Sequence, residues 1–334
     1  MEKDIRILAI ESSCDETAAS VSVNGEIRSN IIASQIDIHR LYGGVVPEIA
    51  SRNHLLNISA VVERAVAESG LSLEDMDCVA VTHGPGLVGA LLVGISYAKA
   101  LSYSLGCRFM GVNHMQSHIS ACFLAGARPP FICLVVSGGH TMIVNVKDYT
   151  EFELLGTTRD DAAGEAFDKV ARVMGLEYPG GAKLDELAEK GDPFSIGFPL
   201  AMLGEDNYDF SFSGLKSAVL SHLNTMKMKG EEYKKEDVCA SFRRCVVEIL
   251  TEKTVKAAVT TGAERISVCG GVACNSLLRR ELARKAAENG MSFYVPERVY
   301  CSDNAAMVAR AAYHKYLKGE FSDLSLNASP SLML

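Results

Sequence analysis

The chain has 334 residues, enough for two domains with separate cores, and an ordinary globular balance of 48% hydrophobic and 22% charged residues. Its formal charge is −8, from 33 Lys and Arg against 41 Asp and Glu. That excludes a protein gripping nucleic acid by bulk charge; any RNA contact has to come from a local patch or a partner subunit.

The 10 cysteines form no CxxC pair and mostly sit in apolar surroundings, as in FICLVV and ISVCGG, which suits a reducing, cytoplasmic compartment. The N-terminal stretch MEKDIRILAIESS carries Glu2 and Asp4 before a short apolar run and reads as a first strand, not a signal peptide. The most apolar helical window, GLVGALLVGISYAKALSYSL, is interrupted by Lys99 and reads as an interior helix rather than a membrane span.

In chain order, residues 5–10 predict a strand, ESSCDETAA a turn, and AASVSVNG a returning strand. Residues 47–69 predict a helix with Pro47 in its first turn and Ile58, Val61, Val62, Ala65 and Val66 on its apolar face. CVAVTHGPG enters a glycine turn, 87–104 continues as helix, and FMGVNHMQSHISACFL is a short strand followed by a helix. FICLVVSGGHTMIVNV at 131–146 repeats the strand–turn–strand organisation of 5–23. Beyond it come a helix at 157–174, an irregular aromatic stretch at 192–214, a charged exposed loop at 227–237 and a helix at 238–260. RISVCGG predicts a strand, VACNSLLRRELARKAAENG a helix ending at Gly290, SFYVP a strand, and DNAAMVARAAYHKYLKG the last helix. The class is α/β, with a first lobe at 1–130 and a second at 131–334, the last helix (about 303–318) returning to the first lobe.

Small residues follow a buried strand at ESSCDE, THGPGLVG, VSGGHT and CGGVACN. Glycine main chain can present N–H groups to phosphate oxygens, and a following helix adds its N-terminal dipole. Gly138 and Gly139 are the leading phosphate cradle, with Gly270 and Gly271 able to floor a base or ribose; each pair also reads as a plain tight turn. No GxxxxGK[ST] and no GxGxxG after the first strand are present, so a P-loop or dinucleotide fold does not fit. Asp168 and Asp185 are candidates for ribose hydroxyls, and Glu165 and Asn275 for a base or sugar. Asp15 and Glu16, an acidic pair in the first turn, would repel a phosphate unless a cation or a nucleophile's proton intervenes.

His114 and His118 in NHMQSH share one helix face at the spacing that chelates a metal ion, or are two polar positions that merely align. Zinc peptidases place a general base after the first histidine; Met115 stands there and cannot activate water. Asp303 is a third ligand or, equally placed, a helix N-cap. Iron and zinc both accept such N/O ligands.

ESSCDETA, HRLYGGVVPEIASRNH, GPGLVGALLVG, NHMQSH, VSGGHT, TRDDAAGEAFDKVAR, YPGG, DFSFSGLKSAV, GGVACNSLLR and DNAAM run in order over nearly the whole chain. Together they resemble the TsaD/Kae1 family, the transferase of the tRNA threonylcarbamoyladenosine system. The resemblance implies a two-lobed fold shared with actin, the Hsp70 ATPase domain and sugar kinases (the ASKHA fold). It implies Fe(2+) or Zn(2+) on His114, His118 and Asp303. It implies nucleotide contacts at Val135, Val136, Ser137, Gly138, Gly139, Asp168, Gly181, Asp185 and Asn275, and a catalytic role for Asp15 beside Glu16. The implied donor is threonylcarbamoyl-adenylate, made by a separate synthase; the acceptor is N6 of adenosine 37 in tRNAs reading codons that begin with A, and AMP leaves. ATP or ADP could occupy the same cleft, and TsaB-like and TsaE-like subunits are the implied partners, with no membrane. The competing reading is a small-molecule phosphotransferase or ATPase of the same fold. For tRNA, Arg40, Arg52, Lys216 and the cluster Arg279, Arg280, Arg284 and Lys285 are the cationic candidates, the last also reading as a solvated helix face.

Overall fold

The computed structural model describes residues 4–334. The first half runs β1 (Arg6–Glu11), β2 (Glu16–Val23), β3 (Glu26–Ser34), α1 (Ile36–Arg40), α2 (Pro47–Ser69), β4 (Cys78–Gly84), α3 (Val88–Leu105), β5 (Arg108–Asn113) and α4 (His114–Leu124). It continues through β6 (Phe131–Val136), β7 (Thr141–Asp148), β8 (Glu151–Thr157), α5 (Ala163–Val173), α6 (Gly180–Ala188), α7 (Ser213–Lys229) and α8 (Lys235–Thr261). Last come β9 (Arg265–Cys269), α9 (Ser276–Glu288), β10 (Ser292–Tyr294) and α10 (Ala305–Leu317).

Two compact units result: residues 1–126 with 148–151 and 296–334, and residues 127–147 with 152–295. The second unit ends at Val295, and the chain from Pro296 onward, with the last helix expected to return to the first lobe, belongs to the first unit. The reason is packing. Met307, Val308, Ala309, Ala311 and Ala312 of α10 fill the same core as Ile7, Ala9, Ala80 and Val112, and the alanines let the helix lie close to the sheet.

The first unit holds a five-stranded sheet in the order β3-β2-β1-β4-β5. β1 pairs antiparallel with β2 and parallel with β4. Leu8 and Ile10 face one core with Val62, Leu91 and Ile95 from α2 and α3; Ile7 and Ala9 face the other, with α10. Both faces are covered, so β1 reads as an unbroken apolar run. Helix α3 is long and apolar enough to cross a membrane by length and composition, but it packs on α2 and β4 within this unit.

The second unit repeats the plan: β10-β9-β6-β7-β8, with β6 antiparallel to β7 and parallel to β9. The echo read in two strands of sequence thus extends to five.

Three local expectations change. The helix expected at 157–174 starts at Ala163, because residues through Thr157 belong to β8. The charged stretch 227–237 is mostly helical: α7 runs to Lys229 and α8 begins at Lys235. Part of the irregular stretch 192–214 opens α7 at Ser213.

Candidate functional site

In the first unit, β5 runs directly into α4. Asn113 caps the helix, its Oδ1 accepting from Met115 N at 2.8 Å and Gln116 N at 3.3 Å. Asn113 Nδ2 donates to Met333 O at 2.7 Å, so the C-terminal tail is tied to the same turn. This cap sets the first helical residue as His114 and, one turn on, His118. Asp303 reaches them from the turn before α10. That helix is capped by Asn304, whose Oδ1 accepts from Met307 N at 3.0 Å. The N-cap alternative for Asp303 therefore falls away.

Asp303 Oδ1 lies 3.5 Å from His114 Nε2 and 3.1 Å from His118 Nε2, and the three donors lie within 4.8 Å of one another. Two donors bound to one cation at roughly 2.1 Å, at tetrahedral to octahedral angles, stand about 3.0–3.4 Å apart. His118 is fully buried, and neither of its ring nitrogens makes a hydrogen bond. A buried imidazole without hydrogen bonds is unfavourable by itself; a cation held between Nε2 and Asp303 Oδ1 would remove that deficit at Nε2. The set fits a divalent metal ion.

Behind His114 stands Glu11, the last residue of β1, with Oε2 at 3.1 Å from His114 Nδ1. Against the burial that disfavours its charged form, Asp303 and Glu11 raise the His114 pKa to about 9. Burial would raise the Glu11 carboxyl, but the charge and hydrogen bond of His114 more than offset it, and the group sits below the usual carboxylate range.

Asp15 and Glu16 follow in the same turn. Asp15 is 8% exposed, and its carbonyl accepts from Gln35 N at 3.0 Å. Burial first, then the charges of Asp303 and Asp15, push the Glu16 carboxyl up to about 10, and its Oε1 accepts from Ser34 Oγ at 3.1 Å. His54 braces the turn from α2, with Nε2 at 2.9 Å from Cys14 O and Nδ1 at 2.8 Å from Thr17 Oγ1. His39 is fully buried against Gln35 and Val46 N. These two histidines are internal supports of the turn.

In the second unit the turn after β6 is closed by Ser137 N donating to His140 O at 2.8 Å and His140 N donating to Ser137 Oγ at 3.1 Å. A Cβ on Gly138 or Gly139 would meet nothing within 4 Å. The protein's own packing does not require glycine there, and the space over the main chain is open. Val135 and Val136 differ: both side chains are fully buried, and Val135 is paired in the sheet on both sides. The structure leaves them no side-chain surface for a ligand.

Asp168 on α5 caps α6, its Oδ1 accepting from Gly180 N at 3.0 Å and Gly181 N at 3.1 Å, while burial raises its pKa. Asp185 on α6 is heavily engaged. Its Oδ1 accepts from Arg243 Nη1 at 2.7 Å and Asn275 Nδ2 at 2.8 Å, and its Oδ2 from Ser276 N at 3.1 Å. Asn275 also caps α9 through Leu278 N at 3.0 Å. Asp168, Gly181, Asp185 and Asn275 are thus joined along α6. Glu165 is outside that chain of contacts and pairs with Lys169 at 2.7 Å.

Sequence reading missed Glu11, Arg243, Glu189 and Ser276. Arg243 is buried in a long helix, where nothing in the local pattern marks it; only its charge among apolar neighbours hinted at a partner.

Comparison with known proteins agrees with this geometry. Residues 26–310 match the TsaD family model, described as tRNA N6-adenosine threonylcarbamoyltransferase. The chain is 58% identical over 337 residues to the tRNA N6-adenosine threonylcarbamoyltransferase of Clostridium perfringens (strain SM101 / Type A), covering 100% of this chain and 99% of the relative. It is 56% identical, with the same coverage, to the protein so named from Clostridium botulinum (strain Kyoto / Type A2). Among solved structures, T. kodakarensis HypF superposes with a TM-score of 0.66 at 15% identity, over 97% of this chain and 49% of that one. This likeness shows a shared α/β fold. With the matched length, the identities and the family's motifs all in register, the chain belongs to the TsaD family of tRNA N6-adenosine threonylcarbamoyltransferases, enzymes that carry a threonylcarbamoyl group to N6 of adenosine in tRNA.

Proposed function

We propose that the donor is threonylcarbamoyl-adenylate, that the acceptor is N6 of adenosine 37 in tRNAs reading codons that begin with A, and that AMP is released. In this reading the two units are the lobes of an ASKHA fold. The observation that carries the proposal is the meeting of His114, His118 and Asp303, from separated segments, around one point with cation-ligand spacing.

The N6 amine attacks the carbamoyl carbon, the C–N bond forms, and the bond from that carbon to the adenylate oxygen breaks with its electron pair leaving on AMP. The adenine amine is a weak nucleophile because its lone pair is shared with the ring. Asp15 takes the proton that N6 loses. Glu16, next in the chain, accepts from Ser34 Oγ at 3.1 Å and helps to hold the turn. The main-chain N–H groups of Ser137, Gly138 and Gly139 receive the phosphate as charge develops on it. Asp168 and Asp185 orient the ribose, and Gly181 and Asn275 complete that wall. His114, His118 and Asp303 would hold Fe(2+) or Zn(2+), which would supply Lewis-acid polarisation of the donor's oxygens. ATP or ADP would fit the same turns.

TsaB-like and TsaE-like subunits and a separate adenylate synthase complete the system. Exposed Leu55 and Leu56 on α2 and Val88, Leu92 and Tyr103 on α3 support a partner covering that face. Ten free cysteines, mostly buried, support a cytoplasmic setting.

The test is incubation of the protein, with and without these partners, with tRNA and the adenylate, followed by mass spectrometry of the nucleosides. Threonylcarbamoyladenosine and AMP are expected. ADP and a phosphorylated small molecule would overturn the reading in favour of a phosphotransferase.

A further inference from the structure

We propose that Glu11 is a positioning residue for the cation centre: its carboxylate holds the His114 ring with the proton on Nδ1, so that the lone pair of Nε2 points toward Asp303 and His118. The inference rests on reading those three residues as cation ligands.

Four observations carry it. Glu11 is fully buried at the end of a strand whose preceding residues are apolar. A carboxylate is unfavourable there unless its oxygens are satisfied, and both are. Oε1 accepts from Ser13 N at 2.6 Å, and Oε2 accepts from Thr82 Oγ1 at 2.7 Å while lying 3.1 Å from His114 Nδ1. The carboxylate is therefore fixed before it orients the ring.

Second, the fold does not demand this residue. The second sheet has the same strand order, and its strand corresponding to β1 is β6, which ends in buried Val136. An apolar side chain closes that position without difficulty, so the carboxylate in β1 answers to something other than folding.

Third, the two histidines are held differently. His118 has no hydrogen bond on either ring nitrogen. No acceptor stands behind its Nδ1, whereas His114 has Glu11 behind it and Ser13 Oγ at 3.2 Å from the same Nδ1. Control of the proton position is thus concentrated on one ligand.

Fourth, the geometry is that of a carboxylate–histidine–metal relay. An acceptor on the far ring nitrogen fixes the tautomer and makes the near nitrogen a better donor; loss of such an acceptor typically weakens metal affinity about 10–100-fold.

The experiment measures Zn(2+) and Co(2+) affinity of the full chain by competition with a chromophoric chelator, for wild type, Glu11→Gln and Glu11→Leu. Glu11→Gln keeps an acceptor oxygen without the charge and is expected to weaken binding about tenfold; Glu11→Leu is expected to weaken it further, both by the relay argument. Circular dichroism and urea unfolding of the metal-free proteins establish that each variant is folded. Equal affinities in folded variants overturn the proposal. Should neither variant fold, ¹⁵N spectra of the wild-type histidine rings decide: a proton on His114 Nδ1 is expected, and one confined to Nε2 overturns it. Asp303→Ala separates the two levels. If it binds the cation as wild type does, the centre itself has been misread; if it loses the cation while the Glu11 variants do not, only the role of Glu11 fails.

Discussion

Asp303 Oδ1 stands 3.1 Å from His118 Nε2 because the adjacent residue, Asn304, has taken over the capping of α10. The two neighbours divide labour that either carboxamide or carboxylate could perform alone. Their substitutions should separate. Asn304→Ala removes the cap and is expected to lower stability by about 1–2 kcal/mol while cation stoichiometry is kept. Asp303→Ala is expected to abolish stoichiometric cation binding and leave the urea midpoint of the metal-free protein nearly unchanged. Elemental analysis and denaturation of both variants check the division; loss of cation in Asn304→Ala alone would reverse it.

Gly138 and Gly270 make a similar contrast in the second unit. A methyl on Gly138 meets nothing, so Gly138→Ala should fold normally and bind an adenylate more weakly, because the methyl occupies the space a phosphate would enter. Gly270 sits at φ +91°, where a Cβ would run into the carbonyl of Val136. Gly270→Ala should lose on the order of 1–3 kcal/mol of stability from backbone strain and that clash. Thermal melting together with AMP titration distinguishes a ligand glycine from a structural one.

These contrasts mark what was legible in the sequence. Buried strands and glycine turns were, because burial on both faces leaves continuous apolar runs such as FICLVV. β3 and β8 were not, for a shared reason: each is the edge strand of its sheet, and polar residues on its open face interrupt the pattern. The histidine pair was legible because ligand spacing is local. Glu11 and Arg243 were not, since a buried charge declares itself only when its distant partner is known: Thr82 and His114 for one, Asp185 and Glu189 for the other. The return of α10 to the first unit, expected from the sequence, is held by contacts far apart in the chain, such as Ala306 N donating to Asn30 Oδ1 at 3.1 Å.

Arg243 gives a further prediction. Its Nη1 contacts Asp185 Oδ1 at 2.7 Å and Glu189 Oε1 at 2.6 Å, and the side chain is only 5% exposed. Arg243→Met leaves Asp185 without the cation that holds it and should destabilise the second unit by about 3 kcal/mol. Because Asn275 and Ser276 share the same carboxylate, AMP affinity should fall as well. Urea unfolding and AMP titration of the variant test both effects.

The basic cluster of α9 is mostly neutralised within the protein. Arg280 pairs with Glu189 at 3.1 Å, Arg284 with Glu281 at 2.7 Å and Glu288 at 2.5 Å, and Lys285 with Glu252. Cations already paired release few counterions on meeting a phosphate backbone. Arg284→Ala with Lys285→Ala should therefore leave both tRNA affinity and its salt dependence nearly unchanged. A markedly shallower salt slope in the double variant would return α9 to the tRNA surface.

His314 provides a pH signature away from the cation ligands. Its ring stacks on Tyr149 at 4.1 Å with an interplanar angle of 11°, and Phe123 meets its edge at 5.4 Å. Nε2 is buried without a hydrogen bond. Burial, reinforced by Arg310, lowers its pKa from 6.5 to about 4, while Asp148 opposes the shift. Above pH 6.5 the ring is neutral in folded and unfolded chains, and its contribution to stability is complete. As pH falls from 6.5 towards 4 the unfolded chain takes up a proton that the folded one refuses, so stability declines; below about 4 this group adds no further slope. The loss across the window is on the order of 2–3 kcal/mol. His314→Phe keeps an aromatic ring against Tyr149 and cannot titrate. The difference between its stability-versus-pH curve and that of the wild type should grow on acidification within this window and be flat above it. Parallel curves through the window would mean that His314 takes up its proton alike in the folded and unfolded chains.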